Sequence, residues 1–340
     1  MKRPLLMDIN STVFLRDETL IVIDRRLFPG EIKELTCRDC DQVAQAIEDM
    51  AVQGAGDIAI TAGYGLYLAA RESELDRGGP LPNARGYLQP FYHRLVNTRP
   101  TGHHLKALLD KILTGLNDRE SCSDQILKGI NRAIVKQNDR SRLTGKWAER
   151  VLEDGDTILT HCFPGPALLH MLSMATANQK KIQVIASETR PYLQGARLTA
   201  WSVSELGIPV TLISDNMAAY CMSQGMVNKV FTAADRIALD GTVANKVGTF
   251  QLALSAQYHK LPFYILGYGG PDRGCNNAAE IPIEIRDPHE VLYCAGTKIT
   301  GEKVKGFYPA FDLTPSGLLT AVITDRGVFI PALIQEYWNV

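Results

Sequence analysis

From residue 156 onward the chain alternates between two spacings. Short apolar runs occur at 157–162, 182–187, 210–213, 229–233 and 263–266. Between them, 166–177, 193–206, 217–224 and 247–258 carry apolar residues at helical intervals. The shift from one period to the other is the primary sign of secondary structure. Strands alternating with helices predict a mostly parallel sheet with helices on both faces. Asp240-Gly241 predicts a tight turn between 237–239 and 242–244. Thr314-Pro315 predicts the start of a helix over 316–323, because proline fits a first helical turn, and an apolar run at 328–330 follows.

The first 150 residues have a different rhythm. Strands are expected at 20–23 and 31–37, then a helix capped by Asp41 with Val43, Ala44, Ile47 and Met50 on one face. The segment 57–71 is apolar nearly all round, the signature of a buried helix. Helices are expected over 87–96, 101–116 and 122–152. The change near residue 150 predicts a mainly helical domain with a few strands over 1–150 and an α/β domain with a doubly wound parallel sheet over 151–340.

Composition alters this picture little. Of 340 residues, 45% are hydrophobic and 21% charged, as in ordinary globular proteins. A net charge of −1 argues against nucleic-acid or membrane-surface partners. The stretch 157–179 has no charged residue and is long enough to span a bilayer, but Pro164, Gly165, Pro166 and two histidines interrupt it. With no apolar N-terminal signal and an odd cysteine count of seven, reduced thiols in the cytoplasm are expected. Cys37 and Cys40 have the spacing of a metal or redox pair, but no second such pair follows, and they read as two partly buried thiols.

The candidate chemistry lies at strand ends. Cys162 follows the first strand of the second half, Glu188 and Arg190 the second, Asp215 the third and Asp235 the fourth. Gln194 lies at the start of one helix, and Asn245 and Lys246 precede another. In an open α/β sheet these ends converge on one edge. Each residue also has a structural explanation: Glu188 can pair with Arg190, Asp215 can cap a helix, and Asp235 can pair with Arg236. Their common location outweighs these. In the first half, Gly54-Ala55-Gly56 opens a helix whose free N–H groups suit an anion, and Arg99 sits at a helix start. No Walker A, HExxH, GxSxG or dinucleotide fingerprint occurs, so neither nucleotide cofactor nor metal is expected. A thiol and a carboxylate without a cofactor suit proton movement on a small phosphorylated molecule.

Longer strings carry a resemblance. The segment 188–199 resembles the ETRP-x-x-QGARLT motif of methylthioribose-1-phosphate isomerases. Matching strings occur at 156–162, 215–219, 234–237, 243–249, 281–288 and 309–315, so the resemblance runs from about residue 20 to the C-terminus. The wider superfamily holds ribose-1,5-bisphosphate isomerase and the alpha, beta and delta subunits of translation initiation factor 2B. The resemblance implies a small helical N-terminal domain, a Rossmann-like C-terminal domain and a homodimer. It also implies conversion of an aldose 1-phosphate to a ketose 1-phosphate, as in methionine salvage. It places the reactive cysteine on Cys162 and the acid/base aspartate on Asp235. Phosphate and sugar contacts fall on Gly54, Ala55, Arg99, Gln194, Asn245 and Lys246.

Two stretches depart from the family pattern. Where RGAPAIG is usual, the chain has Gln53-Gly-Ala-Gly-Asp57-Ile-Ala59, with neutral Gln53 at a cationic phosphate contact and Asp57 adding negative charge. Where Asn-x-Gly usually follows the cysteine, the chain has Phe163-Pro164-Gly165. Both bear on which sugar phosphate is accepted. 5-Deoxyribose 1-phosphate and ribose 1,5-bisphosphate stand beside methylthioribose 1-phosphate, and a non-catalytic regulator stands as the alternative class.

Overall fold

The computed structural model describes residues 3–99, 102–117 and 120–340. Pro100 and Thr101, with the expected start of the helix over 101–116, lie outside them. The chain divides into two compact units, Asp8–Asn138 and Asp139–Val340, the latter joined by the N-terminal residues through Met7.

The first unit opens with an antiparallel sheet of β1 (Val13–Arg16), β2 (Thr19–Ile23) and β3 (Glu34–Cys37). Five helices follow: α1 (Cys40–Glu48), α2 (Ala55–Arg77), α3 (Ala84–Val96), α4 (His103–Gly115) and α5 (Cys122–Glu149), which runs into the second unit. The cap of α1 is Asp39, not Asp41, because the Asp39 carboxylate accepts the Gln42 N–H at 2.8 Å. α2 is buried along most of its length and packs against α1, α3 and α4, as its all-round apolar surface requires. It starts after Gly54, at φ 99°, and ends at Gly78 in the left-handed region. Cys37 and Cys40 are both fully buried, with thiols that burial pushes up to about 11 and about 12. That is the packing role, not the metal or redox one.

The second unit carries β4 (Thr157–Thr160), α6 (Pro166–Ala177), β5 (Gln183–Ser187), α7 (Trp201–Glu205), β6 (Val210–Ile213), α8 (Ala218–Ser223), β7 (Lys229–Ala233), β8 (Arg236–Ile237), β9 (Val243–Lys246), α9 (Thr249–Tyr258) and β10 (Phe263–Tyr268). α10 (His289–Leu292), β11 (Tyr293–Cys294), β12 (Thr297–Lys298), β13 (Phe311–Thr314), β14 (Ala321–Thr324) and β15 (Val328–Phe329) complete it. Among the described residues the main sheet has seven strands in the order β15-β14-β10-β7-β4-β5-β6, parallel throughout except for β15.

Both faces of this sheet are covered. Ile158, Val184, Phe231, Leu266 and Ile323 point into one core with α6, and Leu159, Ile185, Val230, Ile265 and Val322 into another with α8 and α9. Consecutive residues alternating between two cores are the mark of a strand buried on both sides. This is the mixed α/β fold expected, with its mostly parallel sheet.

The helix expected at 316–323 is instead a short turn, Ser316–Leu318, followed by β14. Pro315 does open a helical turn, but Ala321–Thr324 is buried throughout and fills the slot beside β10. The hairpin around Asp240-Gly241 is present, with β8 and β9 joining β13 in a separate antiparallel sheet. Among the described residues no helix is long and apolar enough to cross a membrane.

Candidate active site

The strand order reverses at β4, which lies between β5 and β7. Crevices in open α/β sheets form at such a switch point, beyond the carboxyl ends of the strands. Cys162 stands two residues past the end of β4, and Asp235 two residues past the end of the adjacent β7. The Asp235 charge is felt at the Cys162 thiol, and Lys246 acts on both groups.

The backbone at Cys162 leaves the strand with φ 60°, in the left-handed region. Threonines hold both of its peptide groups: Thr189 Oγ1 accepts the Cys162 N–H at 2.8 Å, and Thr199 Oγ1 donates to the Cys162 carbonyl at 2.5 Å. The Phe163 N–H points at the sulfur. Burial pushes the thiol up to about 11 against the opposing pull of Lys246, so at neutral pH it is a thiol and not a thiolate.

Asp235 has no side-chain hydrogen bond or ion pair among the described residues. The structural pairing with Arg236 does not form, because Arg236 binds Asp272 at 2.6 Å. Desolvation raises the Asp235 carboxyl to about 6, with Lys246 pulling it down and Glu284 pushing it up. The amino edge of the same sheet is unlike this: there Asp156 at the head of β4 is paired with Lys229 at the head of β7, at 2.5 Å.

Asn245 and Lys246 end β9, whose Ala244 carbonyl accepts the Asp235 N–H at 2.9 Å. Lys246 is buried, donates to the Tyr308 hydroxyl at 3.1 Å, and lies 5.5 and 5.1 Å from the ring centroids of Tyr308 and Phe311. It makes no ion pair with a carboxylate among the described residues. Asn245 donates to Thr249 Oγ1 at 2.9 Å. Gln194 is 5% exposed, and its buried Oε1 accepts no hydrogen bond among the described residues. A buried polar atom without a partner is rare enough to need a reason, and a ligand donor is one.

The other strand-end groups have structural work. Asp215 accepts the N–H groups of Thr189 and Arg190 at 2.8 and 2.7 Å. Arg190 does not pair with Glu188 but donates to the carbonyls of Pro191, Val291 and Tyr293. Gln53, Gly54, Ala55 and Arg99 belong to the helical unit. There no side chain caps α2, and the Arg99 guanidinium donates to the Ile47 carbonyl at 3.2 Å and contacts the Met50 sulfur. The negative charge expected from Asp57 is not free: buried Arg25 pairs with it, and Gln137 donates to its other oxygen at 2.7 Å. Phe163 packs its ring against the hydrophobic core under α6.

The sequence reading overlooked Tyr308 and Asp312. Asp312 lies opposite Asn245 in the β9–β13 ladder and accepts from Gly248 N at 2.7 Å, and burial raises its carboxyl to about 6. Both fall within a string that resembles the family or next to it, but only the fold brings them to Lys246 and its loop.

The comparisons with known proteins come from several directions. The model of the initiation factor 2 subunit family matches residues 51–331. A methylthioribose-1-phosphate isomerase of Petrotoga mobilis is 40% identical over 328 residues, covering 92% of this chain and 93% of the relative. Among solved structures, a 5-methylthioribose 1-phosphate isomerase from Pyrococcus horikoshii matches with a TM-score of 0.81 at 33% identity, over 96% of this chain and 94% of that one. The translation initiation factor eIF-2B, subunit delta, from A. fulgidus matches with a TM-score of 0.78 at 35% identity, over 94% and 96%. The motifs quoted from the sequence, the switch-point sheet and these matches agree: the chain belongs to the initiation factor 2 subunit family.

Proposed function

We propose that this protein is an aldose–ketose isomerase that converts 5-methylthioribose 1-phosphate to the corresponding ketose 1-phosphate. The observation that carries this reading is Asp235, a desolvated carboxyl without a partner, placed beside the Cys162 thiol at the switch point. A binding-only protein has no use for a carboxyl held near 6, whereas an acid catalyst working near neutrality does.

A sugar 1-phosphate has no free aldehyde, so the ring opens first. Asp235 gives its proton to the ring oxygen as the C1–O bond breaks, and becomes a carboxylate. Hydrogen then moves from C2 to C1 while the C2 hydroxyl loses its proton, which restores Asp235. The net change is an isomerisation with no external oxidant or base. Hydrogen can move as a hydride-like shift, with the Cys162 thiol polarising the site, or as a proton carried by Cys162 once the thiol has given its own proton to the Asp235 carboxylate left by ring opening; in that route the C2 hydroxyl proton returns to the sulfur. In either route the thiol must face C1 and C2.

Lys246 and Asn245 are the proposed contacts to the substrate's phosphate or hydroxyls, and Gln194 Oε1 the acceptor for a sugar hydroxyl. Gln53, Gly54, Ala55 and Arg99 remain proposed phosphate or sugar contacts on the evidence of the α2 N-terminus, a ready anion site. The proposed domains are a helical one over 1–150 and an α/β one over 151–340, the latter catalytic. A homodimer is the proposed assembly, since Phe250, Leu254 and Tyr258, spaced four apart on α9, stay exposed. All seven cysteines are free thiols, which suits a cytoplasmic setting.

The likeness to eIF-2B subunit delta supports a second reading, a non-catalytic regulator. Incubation with methylthioribose 1-phosphate, ribose 1-phosphate, ribose 1,5-bisphosphate and 5-deoxyribose 1-phosphate, with detection of ketose, decides between them. Turnover of the first in preference to the others is expected. A folded protein that turns over none of the four overturns the enzyme reading.

A further inference from the structure

We propose that His161 is a positioning residue for Cys162: as the Nε2–H tautomer it fixes the hydroxyl of Ser187, whose carbonyl holds the hydroxyl of Thr189, and Thr189 in turn holds the Cys162 backbone in the conformation that presents the thiol. The inference rests on the reading of Cys162 as a working group. It concerns a different residue and a different property, the direction in which the thiol is aimed.

His161 is 3% exposed, so each ring nitrogen must find its partner within the protein. Nε2 lies 2.9 Å from the Val247 carbonyl, which can only accept, so Nε2 carries the proton. In the neutral ring Nδ1 is then an acceptor. The Ser187 hydroxyl lies 2.6 Å from it and takes its one lone pair, while Thr189 Oγ1, at 3.4 Å, has a nearer acceptor for its proton in the Ser187 carbonyl at 3.2 Å. Burial disfavours the imidazolium, and nearby Lys246 opposes it further, although Asp215 Oδ1 lies 3.8 Å from Nδ1. Asp215 is already engaged by the N–H groups of Thr189 and Arg190.

The consequence runs along one line of contacts. Asp312 accepts the Gly248 N–H, and the preceding Val247 carbonyl accepts from His161. The imidazole receives the Ser187 hydroxyl, the Ser187 carbonyl receives the Thr189 hydroxyl at 3.2 Å, and Thr189 Oγ1 accepts the Cys162 N–H at 2.8 Å. Two glycines allow this closeness. A Cβ on Gly248 would meet His161 Nε2 at 3.0 Å, and one on Gly195 would meet Thr189 Oγ1 at 2.8 Å and overlap the Ser187 carbonyl. A non-glycine residue at φ 60° persists only where its surroundings over-determine it. Here the carbonyl of Cys162 is held by Thr199 from one side, and its N–H by Thr189, itself anchored on Ser187 and His161, from the other.

The test uses the full chain in three arms. Nitrogen-15 spectra of histidine-labelled protein at pH 7.5, with His161 assigned by its loss in His161→Phe, should show a neutral Nε2–H ring; an imidazolium or Nδ1–H ring overturns the proposal. Iodoacetamide labelling of Cys162, read on its peptide by mass spectrometry, should change at least fivefold in Thr189→Val and in His161→Phe. This arm needs no turnover, so it stands even if the isomerase reading fails. With methylthioribose 1-phosphate, Thr189→Val should lower kcat at least fiftyfold with KM within twofold, and Thr189→Ser should recover to within threefold of the parent. Unchanged labelling in Thr189→Val, or Thr189→Ser as impaired as Thr189→Val, overturns the proposal. Thr189→Val is nearly isosteric and decides the matter if His161→Phe does not fold.

Discussion

Arg25 lies under the start of α2 with its guanidinium paired to the carboxylate of Asp57, and only 2% of its side chain is exposed. The same guanidinium donates to the Gln53 carbonyl and, at 3.0 Å, to Thr12 Oγ1. The departure at 53–59 is therefore internally neutral. Asp57 does not confront an anion at the helix start; it satisfies a buried cation. Asp57→Ala removes one partner of a buried ion pair, which costs about 3–5 kcal/mol. Urea unfolding followed by circular dichroism should show the loss. A variant within about 0.5 kcal/mol of the parent, the range of ordinary surface substitutions, would mean that the pair contributes nothing.

In its proposed role Asp235 exchanges stability for chemistry, and the sign can be worked out. An unfolded aspartate titrates near 3.8, whereas in the fold this one is raised to about 6. Between about 4 and about 6 the native state keeps a proton that the unfolded chain releases, so stability falls as pH rises through that window. Above it the full penalty is present, at most roughly 3 kcal/mol, since each tenfold change in proton affinity is worth about 1.4 kcal/mol. Asp235→Asn should thus be more stable than the parent at pH 8 and equal to it near pH 4. It should also lose about 10²–10⁴ in kcat, the usual contribution of a positioned acid. Equal urea midpoints at pH 8, or near-normal turnover, would remove Asp235 from its proposed role.

How much of this was legible depends on the range of the determining contact. Five strands of the main sheet, β4, β5, β6, β7 and β10, could be read because residues alternating between two cores leave long apolar runs, as at Ile158-Leu159 and Val230-Phe231. β1 could not. Its hairpin turns on Asp17 and Glu18, at φ 46° and 65°, where the usual glycine or asparagine signal is missing. β14 was misread because proline chemistry at Thr314-Pro315 is local, whereas the strand slot beside β10 is not. At the site, Cys162 and Asp235 were visible from their places after strands. That Asp235 stands alone was not, since it depends on Arg236 turning to Asp272, far along the chain.

Lys246 links the two candidate catalytic groups, because its ammonium lowers the proton affinity of both the Cys162 thiol and the Asp235 carboxyl. Removing the charge in Lys246→Met should let both rise, above about 11 and about 6. If protonated Asp235 is the acid, the fall of kcat/KM on the alkaline side should move to higher pH, on a lower absolute rate. Tyr308→Phe is the milder variant. It removes the hydroxyl that accepts from Lys246 at 3.1 Å and leaves the ring in place. Hydrogen bonds to charged groups contribute about 1.5–3 kcal/mol, so KM should rise roughly tenfold or more with kcat nearly kept. A profile unmoved in Lys246→Met would show that the lysine does not set the proton affinity of Asp235.

Gly195 separates close packing from backbone freedom. The expected continuous helix over 193–206 begins as a π-helical turn, Gly195–Ala200, laid directly on the end of β5. An alanine Cβ there would overlap the Ser187 carbonyl and crowd Thr189 Oγ1. Gly207 is the opposite case, with φ 73° and nothing within 4 Å of a Cβ. Gly207→Ala should therefore cost only the left-handed backbone term, about 1 kcal/mol. Gly195→Ala meets rigid backbone rather than a movable side chain. It should cost about 3 kcal/mol, the upper end of overpacking penalties. The displaced threonine should also release the Cys162 N–H, so activity should fall further than the lost stability explains. Urea midpoints and kcat measured on both variants below their unfolding transitions check this, and a Gly195→Ala protein that is as stable and as active as Gly207→Ala would contradict it.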